Sequence, residues 1–164
     1  MENFQRNKII GDVFAGYLEK RFKKLYRTLK PQKEYIPDVD LILNSGEQED
    51  LFLQLKQVIE WEKTPESPQG TKTLIFKGGL FEETIKKAET CYYKRNNDIS
   101  HLILILHSGR NDYFIPSDTS LVDVAKFKES GFKGIYIVSP KHTLYGNKGK
   151  TFQEEFVFEI KSVF

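Results

Sequence analysis

Leu102-Ile103-Leu104-Ile105-Leu106 is an unbroken aliphatic run bounded by His101 and His107. Such a run has no polar face to turn to water, so a strand built from it must be covered on both sides. Gly134-Ile-Tyr-Ile-Val138 repeats the pattern. Two strands of this kind require a layer of other elements on each face of one sheet, which helices supply. The longer run is far too short to cross a bilayer, for which about 20 apolar residues are needed.

Two segments have the periodicity for those covering layers. From Ile9 to Leu29, residues Ile10, Val13, Phe14, Tyr17, Leu18, Phe22, Leu25 and Leu29 recur at three- and four-residue steps, and Pro31 ends the pattern. The opposite face is basic: Lys20, Lys23, Lys24 and Arg27, then Lys30 and Lys33. It is either a solvated surface or a ridge facing phosphates. Arg21 projects near the middle of the apolar stripe, as a partly buried pairing residue or one that snorkels to the edge. A second helix is expected from Leu80 to Tyr93, with Phe81, Ile85 and Ala88 inward. A third is expected from Thr119 or Ser120 to Ser130, capped by Ser117, Asp118 or Thr119. Ile59–Gly70 and Lys141–Lys150 read as loops, Thr71–Phe76 as a short strand, and Phe152–Ile160 as a strand or short helix.

The chain has 164 residues, 39% hydrophobic and 29% charged, the make-up of one soluble domain spanning 1–164. Cys91 is the single cysteine, which excludes an internal disulfide framework and a cysteine-based zinc cage. Its solitude fits a reducing cytosol. The polar start, Met1–Lys8, has no apolar run behind it, so a cytoplasmic protein without secretory signal or membrane contact is expected. The net charge is only +2, so any affinity for nucleic acid must come from local clustering of charge.

The stretch with chemical content is Tyr35–Val58. Tyr35–Leu43 reads as a strand with Val39, Leu41 and Leu43 on one face and Asp38, Asp40 and Ile42 on the other. Asn44–Asp50 is a polar connection. Leu51–Val58 then puts Leu51, Leu53 and Leu55 on one face and Phe52, Gln54, Lys56 and Val58 on the other. Two acids, an amide and an ammonium brought together across this hairpin can satisfy one another or share a metal ion. Charges that protect an exposed sheet edge would look the same. No serine–histidine–acid or cysteine–histidine pairing and no glycine-rich phosphate loop is present.

Ile36-Pro-Asp-Val-Asp-Leu-Ile-Leu43 followed by Leu51-Phe-Leu-Gln-Leu-Lys56 resembles the PD-(D/E)xK nuclease superfamily, in the Q-x-K variant similar to the Mrr-like branch of restriction endonucleases. The motif covers Pro37–Lys56, and the element order extends the likeness over most of the chain. The resemblance implies an α/β fold: a restriction-endonuclease-like mixed sheet with helices on both faces. It implies a metal-dependent nuclease hydrolysing phosphodiester bonds, with Mg²⁺ as cofactor and Mn²⁺ as a substitute. The metal-binding aspartate is Asp38 by the Pro-Asp pair and Asp40 by the apolar run that follows; Asp40 is preferred, with Asp38 beside it. Gln54 would give its amide oxygen and Leu55 its backbone carbonyl. Lys56 would orient the attacking water or stabilise charge developing on the phosphate. Lys20, Lys23, Lys24 and Arg27 would face nucleic acid, DNA before RNA, and a homodimer would cut both strands. Many relatives carry an acid on the first helix, for which Glu19 is the candidate, although it sits off the apolar stripe. Gln54 is neutral where an acid is usual, so metal should bind more weakly. The alternative is the same fold without catalysis, acting as a nucleic-acid-binding or protein-interaction module.

Overall fold

The computed structural model describes residues 3–31, 38–58, 80–94, 98–107, 122–145 and 151–164. Its elements are α1 (Asn3–Phe22), β1 (Arg27–Leu29), β2 (Leu41–Asn44), β3 (Leu51–Gln57), α2 (Leu80–Lys94), β4 (Leu102–His107), a 3-10 turn (Val124–Phe127), β5 (Gly134–Tyr145) and β6 (Thr151–Lys161). The strands form one sheet in chain order, β1 to β6. β1, β2 and β3 are antiparallel, β3, β4 and β5 run parallel, and β6 returns antiparallel to β5. The protein is thus α/β with a mixed sheet.

β4 lies near the middle of the sheet, and all six of its residues are buried, as an unbroken aliphatic run demands. Its side chains divide between two cores. Ile103 and Ile105 join Leu41, Leu43, Leu53, Tyr136 and Val138 under Ile10, Phe14 and Leu18 of α1. Leu102, Leu104 and Leu106 join Ile135 and Ile137 under Phe81, Ile85 and Ala88 of α2, with Phe127 of the 3-10 turn. Each helix therefore covers one face. α1 sits directly on β2: a Cβ at Gly11 would lie 2.8 Å from Leu41 Cδ1 and 3.1 Å from Thr28 Cγ2. Only a residue without a side chain permits that approach.

α2 follows its expected span closely, but α1 ends seven residues before Leu29. Lys23 takes φ 55°, its N–H still donating to Glu19 O at 2.9 Å, and the chain leaves the helix there. Arg27–Leu29 instead pairs with Leu29 opposite Ile42 and Arg27 opposite Asn44. A strand at the sheet edge gains cross-strand backbone hydrogen bonds, and Thr28 Oγ1 donates to Asp12 Oδ1 at 2.8 Å. Leu25, expected on the buried stripe, is 68% exposed. Arg21 pairs with Glu159 at 3.7 Å and lies over the Phe22 ring, so it snorkels.

The expected third helix is reduced to the 3-10 turn, capped by Asp123, whose carboxylate accepts the Ala125 N–H at 3.2 Å. Its proposed start at Thr119 or Ser120, and the caps before it, lie outside the described residues. Lys141–Tyr145, expected in a loop, continues β5, and Phe152–Ile160 is the body of β6; cross-strand pairing outweighs the polar composition there. The expected Ile59–Gly70 loop, the Thr71–Phe76 strand and Tyr35–Pro37 lie outside the described residues. Among the described residues no helix is long and apolar enough to cross a membrane.

Candidate functional site

Asp40 is extended immediately before β2. Leu41 lies opposite Leu53 in the ladder, so Asp40 falls beside the level of Gln54. Two hydrogen bonds pin it there. Its N–H donates to Leu53 O at 2.8 Å, and its Oδ2 accepts the Leu55 N–H at 2.8 Å. Asp40 is thereby tied to the residues on either side of Gln54.

The faces follow from the two cores. Leu51 and Leu53 are buried on the α1 side with Leu55 packed against them, whereas Phe52 and Val58 belong to the α2 side. Strand alternation therefore sends Gln54 and Lys56 toward the α2 side. Leu41 and Leu43 face α1, so Asp40, one residue earlier, is directed away from α1 as well. The alternation expected for Tyr35–Leu43 stops here: Val39 packs with the α2-side core, not with Leu41 and Leu43. Asp38 adopts φ 67°, a left-handed conformation uncommon for a residue with a side chain. Such backbone strain concentrates where a site fixes the chain against its preference.

Electrostatics couples these groups. Burial raises the Asp40 pKa, and the neighbouring Asp38 carboxylate adds to the rise. The Leu55 N–H and the Lys56 ammonium oppose it. Asp40 thus feels both Asp38 and Lys56, the acid and the base that the sequence placed beside it. Gln54 is 5% exposed, and its Oε1 has no hydrogen-bond partner. A buried carbonyl oxygen without a donor costs about 1–3 kcal/mol. Lys56 is exposed, and its charge acts on the Asp40 carboxylate.

This donor set fits a small divalent cation. Mg²⁺ prefers oxygen ligands and takes one or two carboxylates, completing its shell with water and phosphate. Asp40 and Asp38 could offer it carboxylates, and Gln54 an amide oxygen that has no hydrogen-bond partner. The set is poor in acids: among the described residues no group of three or more His, Cys, Asp and Glu side chains is gathered for a metal.

The other residues singled out from the sequence lie elsewhere. Lys56 is near the end of β3, level with Leu106 near the end of β4. The C-terminal end of α1 reaches the opposite end of the sheet, where Phe22 meets Phe164 at 5.0 Å between ring centroids, just past the Lys161–Ile135 pairing. Lys20 and Lys23 are exposed there, and Lys24 lies over the Phe164 ring at 3.8 Å. Arg27 Nε donates to Asn44 Oδ1 at 3.3 Å, at the end of β2 remote from Asp40. The basic ridge thus lies toward the end of the sheet away from Lys56, with Arg27 bonded to the Asn44 end of the hairpin. Glu19, one turn before Phe22, is exposed and shares the remote end. His101 and His107 bracket β4 as expected, His107 buried at the Lys56 end.

Sequence reading passed over the surface of α2. Lys56, Gln57 and Val58 form a cleft of about 380 Å³ with Glu83, Thr84, Lys87, Ala88 and Cys91 of that helix. The Glu83–Lys87 spacing of four was the available signal, but it marks any solvated helix equally. Comparison of the chain with protein-family models, curated proteins and solved structures finds no match.

Proposed function

We propose that this chain is a metal-dependent nuclease that hydrolyses phosphodiester bonds of DNA, built on a restriction-endonuclease-like form of the mixed sheet. The observation that carries the reading is the arrangement around Gln54: an unpartnered, buried amide oxygen flanked by the two hydrogen bonds of Asp40, with Lys56 two residues further along the same face. The order α1, three antiparallel strands, α2 and a parallel strand agrees with the fold that the resemblance implies.

In this reading Asp40 and the Gln54 amide oxygen hold Mg²⁺, with Asp38 and the Leu55 carbonyl completing the protein's share. Bound there, the ion would polarise a phosphoryl oxygen and acidify a water. The Leu55 N–H fixes the Asp40 carboxylate and leaves its remaining lone pairs directed away from that bond. Lys56 supplies a positive charge where a phosphate gains negative charge during attack, or orients the water that attacks it. The neutral Gln54 lowers the charge of the site, so millimolar Mg²⁺ or added Mn²⁺ should be required.

A second reading, the same fold binding nucleic acid without cutting it, is favoured by Gln54 standing where an acid is usual. Plasmid and single-stranded DNA incubated with Mg²⁺ or Mn²⁺ distinguish the two. Cutting that falls about 10²- to 10³-fold in Lys56→Ala supports catalysis. Equal cutting by both proteins, or none by either, removes it. Salt-dependent binding that ignores Mg²⁺ and Asp40→Ala would then leave the second reading.

A further inference from the structure

The cleft between the end of β3 and α2 shares Lys56 with the candidate site, but Glu83, Thr84, Lys87, Ala88 and Cys91 serve no purpose in that site. At about 380 Å³ it is within the range of small-ligand pockets. Its lining is divided by chemistry. Val58 and Ala88 belong to the buried core and give it an apolar floor. Lys56 and Lys87 give it two ammonium groups, and Glu83 one carboxylate.

Lys87 is held by Glu83 at 3.0 Å, four residues earlier on the helix, with both side chains more than half exposed. Exposed pairs of this kind are weak and screened by salt. A phosphate entering the cleft can therefore compete with Glu83 for Lys87. A partly apolar cleft with cations at the rim suits one nucleotide, the base entering between α2 and β3 and the phosphates meeting Lys56 and Lys87. A cleft of about 380 Å³ between α2 and the end of β3 has room for one nucleotide and not for a base pair, so the nucleotide must be unpaired.

We propose that this cleft receives one unpaired nucleotide of a single-stranded DNA segment, next to the phosphate that Lys56 addresses. The proposal rests on the nuclease reading for the role of Lys56 and adds to it the class of substrate. Cys91, exposed and the chain's single cysteine, lies in the cleft wall and reports its occupancy.

The test is the rate at which N-ethylmaleimide alkylates Cys91 in the full chain. It is measured with Ca²⁺ in place of Mg²⁺, so that no turnover is needed, and with a single-stranded oligonucleotide or its duplex. The single strand at ten times its Kd should slow alkylation about tenfold. The duplex should leave the rate unchanged, and Lys87→Ala should weaken the protection, measured as the ratio of that variant's own rates with and without DNA. Equal protection by both DNAs, or by neither, overturns the proposal. Protection by the single strand from a protein that never cuts DNA with Mg²⁺ or Mn²⁺ would uphold the cleft and overturn catalysis alone.

Discussion

The Asp40 carboxylate accepts the Leu55 amide proton at 2.8 Å, across the strand gap and past the buried Gln54. This contact makes Asp40 a structural acceptor and a buried acid together, and the two roles respond differently to substitution. Asp40→Ala leaves the Leu55 N–H without its partner and should cost roughly 1–3 kcal/mol. Asp40→Asn keeps an acceptor oxygen and removes the charge. Burial raises the Asp40 pKa above its ordinary 3.8, so between those two values the folded protein binds more protons than the unfolded chain. That stabilisation is complete below the ordinary value and is lost as pH rises through the folded one. Urea unfolding should therefore find Asp40→Asn more stable than wild type at pH 7, the difference closing in acid. Mg²⁺ should raise the melting temperature of wild type alone.

His107 should show the reverse trend. It is buried, and burial together with the nearby Arg6 charge pushes its pKa down from 6.5 to about 4. Below 6.5 the unfolded chain takes up a proton that the folded protein refuses, so stability is full above 6.5 and falls as pH drops toward 4. The full shift corresponds to a loss on the order of 3 kcal/mol. Urea midpoints should decline across this window in wild type, and His107→Leu should flatten the decline. An unchanged slope in that variant would show that another group dominates.

Two glycines of α1 should respond with opposite signs. A Cβ at Gly16 meets nothing within 4 Å, so Gly16→Ala should gain roughly 0.5–1 kcal/mol of helix stability. A Cβ at Gly11 would press on the fully buried Leu41, whose Cδ1 must shift, and on Thr28. Gly11→Ala should lose more by crowding, roughly 1–3 kcal/mol, than it gains in propensity. Thermal melts of the two variants side by side check the contrast.

What the sequence made legible follows from how strongly each segment depends on its own pattern. β4 could be read because five aliphatic residues in a row leave one solution, and α2 because its apolar spacing is confined to one span. Apolar spacing overstates the length of α1 because Leu25 and Leu29 continue it by coincidence. The break at Lys23 carries no glycine or proline to announce it, and the gain that decides it, pairing of β1 with β2, is made with residues 13 to 17 positions away. The same non-local pairing turned Lys141–Tyr145 into a strand. At the site, spacing two on paired strands is enough to put Asp40, Gln54 and Lys56 on the side of the sheet away from α1. The kink at Asp38, the turning of Val39 and the remoteness of Lys20, Lys23, Lys24 and Arg27 all depend on how the sheet ends are oriented. Periodicity along a single segment does not encode that orientation.

Gln54→Glu tests the cation without relying on turnover. In the absence of metal the new carboxyl would be buried level with Asp40 and near Asp38, whose charge already makes Asp40 harder to ionise. Two nearby acids in a poorly solvated place disfavour joint ionisation. The metal-free variant should therefore lose roughly 1–3 kcal/mol at neutral pH, recovering in acid as the new group is protonated. If Asp40 and position 54 share a divalent ion, the added charge strengthens its binding, and Mn²⁺ should raise the melting temperature of Gln54→Glu well beyond its effect on wild type. A variant that is destabilised but indifferent to Mn²⁺ would mean that the unpartnered oxygen of Gln54 faces no cation site.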